Sequence, residues 1–177
     1  MFCSAADCVP LLIQRNVDGS FIFNRSWAEF RVGFNDSCGN YWLGNELLSR
    51  LTASGRYKLT FDLQSRSNTS SWYLAEYSTF RVLKEASNYA LHVSGYTGNA
   101  SDSFSSHNGT MFSTYDRDND DWTSDNCAAS RGGGFWFWNC DSVQVNVPRA
   151  GGSEPFSWNN LPGGSELQSS RMWLRCK

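Results

Sequence analysis

The chain has 177 residues, enough for one domain with a sizeable core. Fifteen lysines and arginines stand against 17 acids, and the net charge of −2 gives no general attraction for nucleic acid. The longest apolar runs, such as Val9 to Ile13, are far too short to cross a membrane as a helix, so no membrane insertion is expected either.

In chain order, Leu11 to Arg15 followed by Asp18-Gly19 predicts a strand running into a tight turn. Ser26 is placed to cap a short amphipathic helix through Trp27, Phe30 and Val32, stopped near Gly33. A second helix is expected from Gly44-Asn45 to about Gly55, with Leu47, Leu48 and Leu51 on one face and Glu46 fixing its start. Tyr57 to Leu63 alternates apolar and polar residues with period two, as a half-buried strand does, and Trp72 to Leu83 and Tyr89 to Val93 continue the theme. Met172 to Arg175 reads as a last strand returning beside the first. Helices early and a meander of strands afterwards make an α+β pattern with a central antiparallel sheet.

From Tyr96 to about residue 170 the periodicity fades into Gly, Ser, Asn and Asp with isolated aromatics. Phe135 to Trp138 and Trp158 argue against disorder there, so something other than a strand ladder must hold it. Trp27, Trp42, Trp72, Trp136 and Trp173 are expected in the core, with Trp138 and Trp158 lining a pocket. His92 and His107 read as structural, since no nucleophile–base spacing surrounds them, and no apolar cleft is evident to raise a carboxyl pKa; an enzyme is not expected.

The most unusual stretch is Asp116 to Asp125, with alternating acids at 116, 118 and 120. If the backbone turns tightly, these converge as hard oxygen ligands, which select Ca²⁺ or Mg²⁺ over zinc or copper, and a flexible loop suits Ca²⁺ better. Counted from Asp116, Asp121 falls where an EF-hand needs Gly and Cys127 where it needs Glu, so it is not an EF-hand. Spacing alone leaves open a solvated acidic turn closed by side-chain-to-backbone hydrogen bonds. Cys127 and Cys140 then enclose Gly132 to Gly134 and the aromatic run; a disulfide there would contribute about 3 kcal/mol by loop entropy.

Six cysteines favour an oxidising compartment. Sequons at Asn24, Asn35, Asn68, Asn99 and Asn108 agree with a secreted, extracellular glycoprotein. The first residues do not form a signal peptide, so the chain reads as a piece of a longer secreted protein.

Residues 11–34, 41–52, 89–120 ("YALHVSGYTGNASDSFSSHNGTMFSTYDRDND") and 126–140 ("NCAASRGGGFWFWNC"), with 165–175 more weakly, resemble the fibrinogen C-terminal domain, or fibrinogen-related domain. This is the module of ficolins, tachylectins, angiopoietins, tenascins and the fibrinogen chains. The resemblance implies one truncated domain over 1–177, lacking the family's N-terminal subdomain. Its central sheet would take about 1–95 and 171–177, and a Ca²⁺-binding recognition subdomain about 96–170.

It further implies one Ca²⁺, held by side-chain oxygens of Asp118 and Asp120 with backbone carbonyls near Trp122 and Ser124, while Asp116 supports the loop. A Cys127–Cys140 disulfide and a cis Asn126–Cys127 peptide are implied beside it. In lectin-like members the cation shapes a neighbouring acetyl pocket, here matching Asn126, Cys127, Arg131, Trp138, Asp141 and Trp158. Arg131 and Asp141 depart from the usual aromatic and His, and residues 143–160 are shorter than in the family. The expectation is a calcium-dependent lectin of innate immunity that binds acetylated or otherwise polar glycans. The alternative is a module that binds an extracellular protein by the same face, as a receptor ligand or in matrix adhesion. Oligomerisation in a longer protein is possible on either count. Cys3, Cys8, Cys38 and Cys176 have no clear family pairing; a bond from Cys3 or Cys8 to Cys176 is expected from the neighbouring first and last strands.

Overall fold

The computed structural model describes residues 9–140, 142–148 and 156–177. Strand β1 (Leu11–Asn16) leads through a turn to helix α1 (Trp27–Val32). Ser26 and Glu29 build a reciprocal cap: the Ser26 Oγ accepts from the Glu29 N–H at 3.3 Å and the Glu29 carboxylate accepts from the Ser26 N–H at 2.8 Å. Gly33 ends the helix at φ 93°, where a Cβ would meet the Leu43 carbonyl oxygen at 2.5 Å. The short strands β2 (Phe34–Asn35) and β3 (Tyr41–Trp42) follow, then helix α2 (Asn45–Thr52). This helix buries Leu48, Ser49 and Thr52, but Leu47 is 44% exposed and so leaves the expected apolar face. Glu46 accepts from the Tyr89 hydroxyl at 3.2 Å and pairs with Arg50, so it ties the first turn of α2 to Tyr89 and does not cap the helix start, which has no side-chain cap.

Three long strands, β4 (Tyr57–Ser65), β5 (Trp72–Val82) and β6 (Leu91–Gly98), form a meander. β6 starts later and runs further than its alternation suggested, because Asn88 and Tyr89 both hold positive φ and cannot extend the ladder. Helix α3 (Cys127–Arg131) and the paired two-residue strands β7 (Val143–Gln144) and β8 (Ser157–Trp158) punctuate the irregular region, and β9 (Leu167–Cys176) closes the sheet. The order is β2-β3-β1-β9-β4-β5-β6, antiparallel throughout. β9 lies between β1 and β4, with Leu11 opposite Leu174, as expected for first and last strands.

One apolar cluster runs from the sheet into the irregular region. Its seam is aromatic: Phe30, Trp42, Phe112 and Trp136 stand with ring centroids 5.2–6.0 Å apart. A buried polar network pins residues 143–147 to the sheet. Gln14 Nε2 lies within 3.0–3.1 Å of the Val145 carbonyl, Asn146 Oδ1 and Ser170 Oγ, and Asn16 donates to the Val145 and Val147 carbonyls. The irregular region is therefore held by aromatic packing and side-chain hydrogen bonds in place of a ladder.

Three tryptophan expectations are corrected. Trp158 is fully buried, its Nε1 donating to the Ser101 carbonyl and its ring 4.9 Å from Phe61, so it belongs to the core. Trp72, 41% exposed, and Trp173, half-buried, lie on the outward face of the sheet, because strand parity pairs them with Gln64 and Thr60.

Candidate functional site

The acidic turn folds on its own backbone. Asp118 Oδ1 accepts from the Asp120 N–H at 3.2 Å, and Asp120 Oδ1 accepts from the Trp122 N–H at 2.9 Å. The second oxygen of Asp120 accepts from the Cys127 N–H at 2.9 Å, tying the turn to the start of α3. Burial, followed by the charge of neighbouring Asp118, pushes the Asp120 carboxyl above the ordinary aspartate range. Asp116 turns away: its Oδ1 accepts from the Trp27 N–H at 2.8 Å and the Thr114 hydroxyl at 2.7 Å, supporting the loop and the first turn of α1.

Cys127 and Cys140 form the disulfide. From Cys140 the chain runs back two residues to Trp138, whose carbonyl accepts from the Asp121 N–H at 2.9 Å. Four links, closed by the Asp120–Asp121 peptide bond, therefore make a ring: Asp120 to Cys127 by hydrogen bond, Cys127 to Cys140 by disulfide, Cys140 to Trp138 along the chain, and Trp138 to Asp121 by hydrogen bond. The acidic turn and the Trp138 segment cannot move far independently.

Trp138, 57% exposed, stands over a cavity of about 360 Å³. Asn108, Thr110, Asn119 and Asp121 supply its polar wall, and Met111 and Phe137 its apolar one. Asn108 is anchored by accepting from the Val93 N–H, and Asn119 by donating to the Phe112 carbonyl. Behind Trp138 a smaller space of about 200 Å³ reaches His107 and Ser142. Asn108 and Thr110 belong to a sequon, Asp121 to the acidic stretch and Phe137 to the aromatic run, but nothing in the sequence marked Met111 or Asn119 as wall residues.

The other expected ligand contacts are placed differently. Asn126 caps α3, its Oδ1 accepting from the Ala129 N–H, and its Nδ2 donates to the Thr114 carbonyl. Cys127 is fully buried and its N–H is already used by Asp120. Arg131 is buried at the end of α3. Asp141 lies outside the described residues, as do Cys3 and Cys8. The implied cis Asn126–Cys127 peptide is not found: the bonds among the described residues are trans, and Asn126 takes the extended conformation that its helix-capping role requires. Cys176 is disulfide-bonded, and Cys38 is free and exposed.

For a cation, the donor set fits. Two neighbouring carboxylates, of which one is pushed up partly by the other's charge, stand at the start of the Trp122–Ser124 segment, whose Trp122 N–H already bonds Asp120. No group of three or more acidic, His or Cys side chains converges among the described residues, so carbonyls and water would supply the remaining ligands. Of the sequons, Asn24, Asn35, Asn99 and Asn108 are exposed, while Asn68 is half-buried against the Tyr73 hydroxyl. A glycan on Asn108 would stand in the mouth of the cavity, so the two uses exclude each other.

The profile of the fibrinogen beta and gamma chains' C-terminal globular domain matches residues 3–175. The chain belongs to this fibrinogen-like family. The fibrinogen-like globe domain of human ANGPTL2 superposes with a TM-score of 0.83 at 37% identity, covering 94% of this chain and 80% of that one. Human fibrinogen alpha chain is 38% identical over 179 residues, which is 93% of this chain and 20% of the relative. Lamprey fibrin D-dimer, complexed with the peptide Gly-His-Arg-Pro-amide, superposes with a TM-score of 0.79 at 28% identity, covering 93% of this chain and 60% of that one. The chain thus spans only a fifth of the fibrinogen alpha chain it matches. Fibrinogen-like domains of these relatives are non-enzymatic binding modules, in line with the expectation from sequence. No helix among the described residues is long and apolar enough to cross a membrane.

Proposed function

We propose that this fibrinogen-like domain is a secreted, calcium-dependent recognition module whose ligand seats beside Trp138. Asp118 and Asp120, with the carbonyls of Trp122 and Ser124, hold the cation. When bound, calcium supplies the positive charge that offsets the two adjacent carboxylates. The observation that carries this reading is the four-link ring, which joins the acidic turn to the Trp138 wall. The cavity, which combines polar groups from Asn108, Thr110, Asn119 and Asp121 with the exposed Trp138 indole, suits a sugar ring or an acetylated polar group. We therefore favour a lectin-like role towards glycans, of the kind used in innate immunity. The Cys127 amide, already engaged, is not the donor in this scheme.

A protein ligand is the second reading. Lamprey fibrin, a fibrinogen-like relative, holds a tetrapeptide, and relatives such as fibrinogen, tenascin and the angiopoietin-related proteins are extracellular. A glycan array with calcium and with EDTA, run beside immobilised peptides, separates the two. Glycan signals lost on chelation and in Trp138→Ala support the lectin; calcium-dependent peptide capture without glycan signals supports the protein binder. Asp118→Ala with Asp120→Ala should abolish calcium uptake in titration calorimetry, and unchanged uptake would reject the ligand assignment.

A further inference from the structure

Alternation divides the side chains of each strand between two faces of the sheet. Leu59, Phe61 and Leu63 of β4 and Met172 and Leu174 of β9 are fully buried on the core side. Arg171, Trp173 and Arg175 of β9 share the outward side and are half-buried. Directly opposed residues of an antiparallel pair lie on the same face, so Arg15 of β1, Arg171 of β9, Asp62 of β4 and Leu74 of β5 make one transverse row. Trp173 with Thr60 and Glu76 makes the next, and Arg175 with Lys58 the third, where Lys58 is neutralised by its ion pair with Glu76.

The first row breaks a rule of strand pairing. Like charges directly opposed across a ladder are destabilising, yet Arg15 and Arg171 are direct partners. Asp62 could relieve them but accepts from the Trp173 indole at 2.8 Å. Among the described residues no carboxylate lies within ion-pair distance of Arg15, Arg171 or Arg175. The Nε atoms of Arg15 and Arg171 are both buried without an acceptor. Tryptophan faces orient the guanidinium groups: Arg171 lies 4.4 Å from the Trp72 centroid and Arg175 5.9 Å from that of Trp173. A stacked guanidinium is held in place while its edge stays available to grip an oxyanion with two hydrogen bonds.

We propose that this face docks a sulfated polysaccharide. Its sulfates would bridge Arg15 and Arg171 and then reach Arg175, about 13 Å further along β9 at the usual rise of a strand. A chain of spaced anions matches such a row better than a lone ion does. A peptide fits less well, because β1, β9 and β4 are interior strands that cannot accept an added strand. The net charge of −2 makes the attraction local to this face. The proposal is independent of the Trp138 cavity and of calcium.

Calorimetric titration of the chain with a heparin decasaccharide tests it, using Arg15→Gln/Arg171→Gln, which keeps most of each side chain's stem. Binding should weaken as salt rises, fall at least tenfold in the double variant, and stay unchanged when calcium is replaced by EDTA. Failure of the wild-type chain to bind, or equal affinity in the double variant, would overturn the proposal. Desulfated heparin and a poly-glutamate of matched charge should each bind at least tenfold more weakly; equal binding by either would remove the sulfated polysaccharide as occupant and, for poly-glutamate, assign the face to an acidic peptide. Without ligand, each single Arg→Gln should raise the melting temperature by relieving the opposed charges, and a fall in both would contradict the claim that the row is a folding liability.

Discussion

Asp116 and Asp120 sit four residues apart and do different work. Asp120 uses both oxygens to hold the turn and α3 together, whereas Asp116 reaches the N–H of Trp27 and the hydroxyl of Thr114. Charge-assisted bonds of this kind contribute about 1–3 kcal/mol each at most. Asp116→Ala should therefore lose about that much in denaturant unfolding, with Asp116→Asn losing less and both keeping calcium uptake; an unchanged midpoint in the alanine variant would contradict the support role. His107 lends itself to a pH test. Its Nδ1 lies 2.7 Å from the Trp136 carbonyl, its Nε2 is buried without a partner, and burial holds its pKa below the ordinary 6.5. The folded chain then binds fewer protons than the unfolded one, so this stabilisation is complete above pH 6.5 and is lost as pH falls below it. Between pH 7 and 5 the wild type should lose more stability than His107→Asn, by up to about 1.4 kcal/mol per pH unit. Parallel pH profiles would show that the ring does not titrate this way.

At the scale of elements, local chemistry made α1 legible. Ser26 and Glu29 form the capping box that Ser-x-x-Glu before an apolar stretch announces, and Gly33 stops the helix. Alternation likewise gave β4, and with it the side of the sheet that Leu59, Phe61 and Leu63 occupy. What alternation could not show is which polar residues become internal. Gln14 and Asn16 look like outward positions of β1, yet both are fully buried because they carry the network to residues 145–147. Gln14→Leu would leave Asn146 Oδ1 and Ser170 Oγ short of a partner, costing about 2 kcal/mol or more in unfolding. Hydrogen exchange should also rise across residues 143–147; an unaffected segment would mean that packing alone holds it. Isolated aromatics in Gly- and Ser-rich sequence were misread for a related reason. Trp158 carries no periodicity to mark it as core, and Trp72 and Trp173 are large apolar residues on a face whose exposure only the register reveals.

For the whole molecule, the sheet is a frame, and the irregular region carries the site to which the proposed function is assigned. The aspartate stretch and the Cys127–Cys140 loop, whose cysteines lie 13 residues apart in sequence, were both legible because their residue types are unusual. Their coupling was not, since it runs through one side-chain oxygen of Asp120 and one main-chain bond from Asp121 to Trp138. Under the proposed function, that coupling is what would let a cation at the turn set the geometry of the cavity wall. Hydrogen exchange followed by mass spectrometry, with and without millimolar calcium, tests it most directly. Protection should rise together in residues 118–127 and 135–140, and Asp118→Ala/Asp120→Ala should abolish both changes. A calcium effect confined to the turn, or none at either segment, would contradict it.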